Sequence, residues 1–171
     1  LLEDGNIHKV NLEEKTYTTF FQPAEATNDV RDFALTPDDS RAIFIDDDNW
    51  ISLVDTSSWG LIEKKQVDIT RFTEPIQIAV SPDGATAIVA NATDPSITFV
   101  SITPSSITIL DTIEVGGSTG GVAFTKNSQI AVVTVHNPNL VQIIDVPNRQ
   151  IHATISEKLG LMPTGVAVVE V

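Results

Sequence analysis

Four short apolar runs recur along this chain at almost constant spacing, and that spacing restricts the fold more than any other feature. Phe33-Ala34-Leu35, Ile78-Ala79-Val80, Val122-Ala123-Phe124 and Val166-Ala167-Val168 centre on alanines separated by 45, 44 and 44 residues. Two runs lead straight into turns, Thr36-Pro37-Asp38-Asp39-Ser40 and Ser81-Pro82-Asp83-Gly84, and a third into the degenerate Thr125-Lys126-Asn127-Ser128. Proline presets φ at the second turn position, and Asp and Gly suit the positions that follow it.

Each unit reads as four short strands, a to d. In the second unit, strand a covers Ile78 to Ser81 and strand b Thr86 to Asn91. Strand c covers Ser96 to Ile102 and strand d Ser106 to Ile113. The run Ala87-Ile88-Val89-Ala90 is apolar throughout, as befits a strand enclosed by sheets on both faces. Strand c recurs as Trp50 to Asp55 and Val141 to Asp145, which makes Asp55, Ser101 and Asp145 equivalent. A polar side chain there can bond to the backbone of the c–d turn. Turn signals and β-branched residues recur too densely for a helix of ordinary length.

A period of about 40–45 residues made only of strands is that of β-propeller blades. The expected fold is therefore an all-β propeller segment of four-stranded antiparallel blades. Three full blades fall at about 30–70, 75–115 and 119–158. Residues 5–21 match strands c and d of a partial blade, and residues 163–171 match strand a of another. An open blade face leaves on the order of 500 Å² of apolar surface wet, which at about 25 cal/mol/Å² forfeits roughly 12 kcal/mol gross. Bare edge strands add an aggregation hazard. Self-association, or the remaining half of a larger propeller, is the expected remedy. The chain starts at Leu1 rather than at a methionine, and it reads as a piece of something longer.

Composition narrows the partners. The net charge is −13 over 171 residues, and the few basic residues are scattered. Nucleic acid needs a concentrated basic face, so it is excluded as a partner. No apolar run approaches the roughly 18 residues of a membrane span, which argues against insertion. There is no cysteine, so disulfides and thiolate metal sites are absent. The excess of Thr, Ser, Asn and Asp over Lys and Arg leans toward an extracytoplasmic protein, periplasmic or at the cell surface.

The motifs Pro163-Thr164-Gly165-Val166-Ala167-Val168, Ser81-Pro82-Asp83-Gly84, Ala90-Asn91 and Val141 to Val146 resemble YVTN-type repeats. These belong to the lactonase-like propellers and to bacterial and archaeal surface-layer proteins. The resemblance covers essentially the whole chain and is specific for fold rather than for function. It implies a ring of about seven blades. Thr125 to Ser128 departs by losing Pro-Asp-Gly, and Asp46-Asp47-Asp48 departs by replacing the usual polar residues after strand b.

Candidate chemistry concentrates in the b–c loops. Asp46, Asp47 and Asp48 form the densest acidic cluster, and calcium is the natural cation for such carboxylates. The EF-hand pattern is missing, because Trp50 and Ile51 stand where an oxygen ligand and glycine belong. Trp50 is a candidate platform for a glycan or peptide, or else a residue packed between sheets. His136 and Asp94 occupy the equivalent loops of the other blades, and Arg71 lies in a d–a connection near the channel mouth. Gly116-Gly117-Ser118-Thr119-Gly120 matches a nucleophile elbow, but a strand follows it where the elbow needs a helix.

The function expected is a non-catalytic scaffold that binds a protein or small ligand on the face of the b–c and d–a loops, in an exported or cell-envelope protein. The expected binding residues are Asp46, Asp48, Trp50, Arg71, Asp94 and His136. Two alternatives stand beside it. One is a lactonase-like or other metal-assisted hydrolase, and the other is a structural surface-layer component.

Overall fold

The computed structural model describes residues 7–21, 30–67, 74–156 and 162–169. Among them there is no helix, and so none long and apolar enough to cross a membrane. A hairpin of β1 (Ile7–Asn11) and β2 (Thr16–Phe21) comes first. Three four-stranded antiparallel sheets follow. The first blade is β3 (Val30–Leu35), β4 (Arg41–Asp46), β5 (Trp50–Asp55) and β6 (Leu61–Gln66). The second is β7 (Pro75–Val80), β8 (Thr86–Asn91), β9 (Ser96–Thr103) and β10 (Ser106–Glu114). The third is β11 (Thr119–Phe124), β12 (Ile130–Val135), β13 (Leu140–Asp145) and β14 (Gln150–Ile155). In each sheet the strands pair in chain order.

The core lies between sheets, and strand alternation assigns it. In β8, Ala87 and Val89 pack toward the first blade, while Ile88 and Ala90 pack toward the third. One interface joins Ile43, Ile45, Ile51 and Leu53 to Ile78, Ala87, Val89 and Val100. The other joins Ile88, Ala90, Ile97 and Phe99 to Val122, Ala131, Val133 and Ile144. The continuous apolar run is thus two half-faces threaded through one strand.

The inner strands carry a shared irregularity. Register slips fall at Val30/Asp32, Pro75/Gln77 and Thr119/Gly121, at the same place in each blade. The residue after the slip reaches the next blade. Asp32 Oδ2 accepts the Ile78 N–H at 3.0 Å, and Gln77 Oε1 accepts the Val122 N–H at 2.7 Å. On the outer strands, Glu63 Oε2 accepts the Ile107 N–H at 2.8 Å. Blades are therefore joined by polar latches as well as by apolar packing.

The a–b turns share one hydrogen-bond plan. Thr36, Ser81 and Thr125 donate their hydroxyls to Asp38, Asp83 and Asn127, at 2.6, 2.6 and 2.7 Å. Those same side chains accept the amides of Ser40, Ala85 and Gln129. The third turn keeps the geometry without proline or glycine, because Asn supplies the same acceptor oxygen as Asp. The c–d turns diverge. Asp55 and Asp145 cap theirs as the equivalence predicts, but the second blade does not use Ser101. There β9 runs two residues longer, and Thr103 Oγ1 accepts the Ser106 amide instead. Residues 163–169, expected as a strand a, run without any ladder.

Candidate functional site

The b–c loops were the expected centre, and in the first two blades the loop is held by a polar side chain at the end of strand b. Asp46 closes β4 with its carboxylate turned under its own loop, where it accepts the N–H groups of Asp48 at 3.1 Å and Trp50 at 2.9 Å. Lys64 Nζ lies 3.5 Å from its other oxygen and 4.7 Å from the centre of the Trp50 ring. The residue is only 4% exposed, and burial pushes its carboxyl up against the opposing pull of those amides and of Lys64. Asp46 is thus engaged in shaping the loop.

Its neighbours point elsewhere. Asp47 lies 3.6 Å from Arg31 Nη2, with its Oδ1 enclosed and unbonded. Asp48 is exposed, and its carbonyl accepts Gln66 Nε2 at 3.2 Å. The Asp46 carboxylate thus faces its own loop while that of Asp47 faces Arg31. Among the described residues no three acidic or histidine side chains converge on a point that could hold a metal ion.

Asp94 is similarly local, accepting the Ser96 hydroxyl at 2.9 Å. Asn91, the positional counterpart of Asp46, is buried and donates Nδ2 to the Ser96 carbonyl at 3.2 Å. His136 donates from Nε2–H to the Pro163 carbonyl at 3.0 Å, and Asn139 Oδ1 accepts the Met162 N–H at 2.8 Å. The b–c loop of the third blade thereby ties down the chain entering residues 163–169. The glycine run makes this possible, since a Cβ on Gly120 would stand 2.5 Å from His136 Nε2. Ser118 has its carbonyl engaged by the His136 N–H at 2.7 Å, and the strand that follows is β11. Arg71 lies outside the described residues. The structure therefore places Asp46, Asp48 and Trp50 together at the b–c turn of the first blade, Asp94 in that of the second and His136 in that of the third.

A concavity lies on the opposite face. A cleft of about 320 Å³ opens between the a–b turns of the first two blades and the c–d turn of the second. Pro37, Asp38, Arg41, Asp83, Gly84 and Pro104 line it. Arg41 forms one wall with its guanidinium committed: Nη1 is 2.9 Å from Asp55 Oδ2, and Nε donates to the Pro104 carbonyl at 2.8 Å. Sequence reasoning passed over this site because its residues read as turn punctuation. The available signal was Gly84 standing where the third turn has Ser128.

No family model matches the sequence, and neither does any curated protein. Solved structures do resemble it. A candidate 6-phosphogluconolactonase from Bacteroides uniformis superimposes with a TM-score of 0.73 at 12% identity, over 96% of this chain and 55% of that one. Hydrazine synthase of Kuenenia stuttgartiensis gives 0.69 at 21% identity, over 85% and 41%. The WD40 repeats of RRP9 give 0.66 at 17% identity, over 75% and 39%. The chain thus spans between two-fifths and just over half of these structures. Neighbours of such different description share only architecture with it, and that architecture is the β-propeller.

Proposed function

We propose that the chain is a protein-binding scaffold of the propeller type, and that its binding begins with blade-on-blade docking. The carrying observation is the outward face of the third blade. Val132, Val141 and Ile143 occupy the ladder positions of Ile43, Ile51 and Leu53 in the first blade and of Ile88, Ile97 and Phe99 in the second. Those six are fully or almost fully buried against a following blade, whereas Val132, Val141 and Ile143 are only half-buried. At the other end, Phe33 is 39% exposed where its counterparts Ile78 and Val122 are each 4% exposed. Ala42, Phe44 and Val54 on that same face of the first blade are buried, so the open apolar face is the one on the third blade.

Taking three such side chains from half-buried to fully buried contributes about 2–5 kcal/mol gross. Association costs about 4–15 kcal/mol, so the face holds a partner only when engaged across its whole width. The b–c loops, with Asp48 and Trp50 at the surface, are read as the recognition edge of the completed scaffold. Extracytoplasmic placement goes with this reading through the composition alone.

Light scattering over a dilution series tests it. The wild type is expected to rise in mass with concentration, and Ile143→Lys to remain monomeric, because burying an ammonium in an apolar interface carries a large desolvation cost. A wild type that stays monomeric throughout would sink the docking reading. A rise in mass that requires calcium and reverses with EDTA would move the assembly site to Asp48 and its neighbours.

A further inference from the structure

The two seams between blades on the a–b face are bridged differently: Arg41 reaches Pro104 across the first, and Ser128 joins the turns across the second. At the seam between the second and third blades, Ser128 Oγ accepts the Asp83 N–H at 3.0 Å and bridges the turns. The corresponding residue of the second turn is Gly84; it and Ser128 both have positive φ, at 73° and 61°. With no side chain at Gly84, nothing crosses to Asp38. Pro37 Cδ lies 3.2 Å from where a Cβ on Gly84 would stand, and the 320 Å³ cleft opens beside it.

The charge at the mouth of this cleft is one-sided. Asp38 and Asp83 are both exposed, and among the described residues neither pairs with a cation. The Thr36 hydroxyl and the Ser40 amide hold the Asp38 carboxyl down at about 2, and the Ser81 hydroxyl leads a similar lowering at Asp83. Both are ionised at neutral pH. The cation present, Arg41, is neutralised by Asp55 and serves as wall. Pro37 and Pro104 supply apolar surface suited to a methylene stem.

We propose that this cleft docks a basic side chain, arginine or lysine, presented by a partner protein. The stem lies against Pro37 and Pro104, and the charge sits beside the Asp38 and Asp83 carboxylates. Charge complementarity selects the occupant, since an anionic side chain would be repelled and a neutral donor would gain a hydrogen bond without the ion-pair attraction. The inference is independent of blade docking, because the cleft lies wholly within the first two blades.

The probes are blocked tripeptides, acetyl-Gly-Arg-Gly-amide with its Lys and Gln counterparts, titrated at millimolar concentration and followed by backbone amide shifts. Saturable shifts at Asp38, Gly84 and Ala85 are expected with Arg or Lys and not with Gln. Which of the two binds more tightly distinguishes a planar from a point-charge contact. The double variant Asp38→Asn with Asp83→Asn keeps the turns, because Asn127 already performs that role in the third blade. It should weaken binding about tenfold or more. Gly84→Ser should reproduce the bridge made by Ser128 and also reduce binding. Equal shifts with the Gln peptide, no saturable shift with either basic peptide, or unchanged affinity in the double variant would each overturn the proposal.

Discussion

Asp46 spends a carboxylate where the next blade, at Asn91, spends an amide. Its value lies in accepting the Asp48 and Trp50 amides, which an amide oxygen can also do. Asp46→Asn should therefore keep the loop and change stability by less than about 1 kcal/mol. Asp46→Ala should cost about 1–3 kcal/mol by leaving two loop amides without an acceptor. The sign with pH follows from the raised carboxyl. Burial disfavours the ionised form, so the wild type carries a penalty once pH rises above the ordinary carboxylate range, and protonation removes it below. The Asn variant should therefore compare best with wild type at neutral pH and lose that relative advantage in acid, as read from urea midpoints. Asp55 behaves oppositely. The Ser57 hydroxyl leads the bonds that hold it down at about 2, so its contribution is present above its unfolded value and is lost as pH falls through about 2. Acid unfolding of the wild type should steepen in that window, and less so in Asp55→Asn. The density of the acidic triplet was plain from sequence, but its direction was not. Which way a carboxylate points depends on the turn, and only the alignment with Asn91 hinted that this position caps a loop.

Strands of this chain were legible in proportion to how completely they are enclosed. Strand β8 was read with its observed ends, because a run buried on both faces leaves an unbroken apolar signature. Strand β7 was read from Ile78 but starts at Pro75, since its first residues surround a register slip where alternation is lost. The latches across blades were not legible, because a Gln or Asp in a strand looks like any other polar residue until the neighbouring amide is placed opposite it. Gln77→Leu isolates that contribution. Val122 is 4% exposed, so its N–H would lose its acceptor without gaining water, at a cost of about 1–3 kcal/mol in thermal or urea unfolding. The third blade has Gly121 at this position and so offers no side chain to Val166. Amide hydrogen exchange should accordingly be slow at Ile78 and Val122 and fast at Val166. Comparable protection at all three would mean that apolar packing, and not the latch, sets the order of the inner strands.

The architecture of the whole molecule was the most legible level, since a 44–45-residue period needs only turns and apolar runs to be seen. What the period could not reveal was which face holds a cleft, because that depended on Gly84 against Ser128 within otherwise matching turns. Charge now separates the two proposed interactions at this scale. Two copies of a chain carrying −13 repel each other over distances that salt screens, with a Debye length of about 30 Å at 0.01 M and about 10 Å at 0.1 M. Docking through Val132, Val141 and Ile143 brings apolar surface together against that repulsion, so added salt should strengthen it. A basic side chain at Asp38 and Asp83 is attracted by the same charge, so added salt should weaken it. Light scattering and peptide titration along one salt series should therefore move in opposite directions. If both weaken with salt, the mass increase comes from ionic contacts elsewhere and the open face of the third blade is not what joins the copies. If both strengthen, the peptides are binding through their backbones to apolar surface, and the two carboxylates are solvated turn residues.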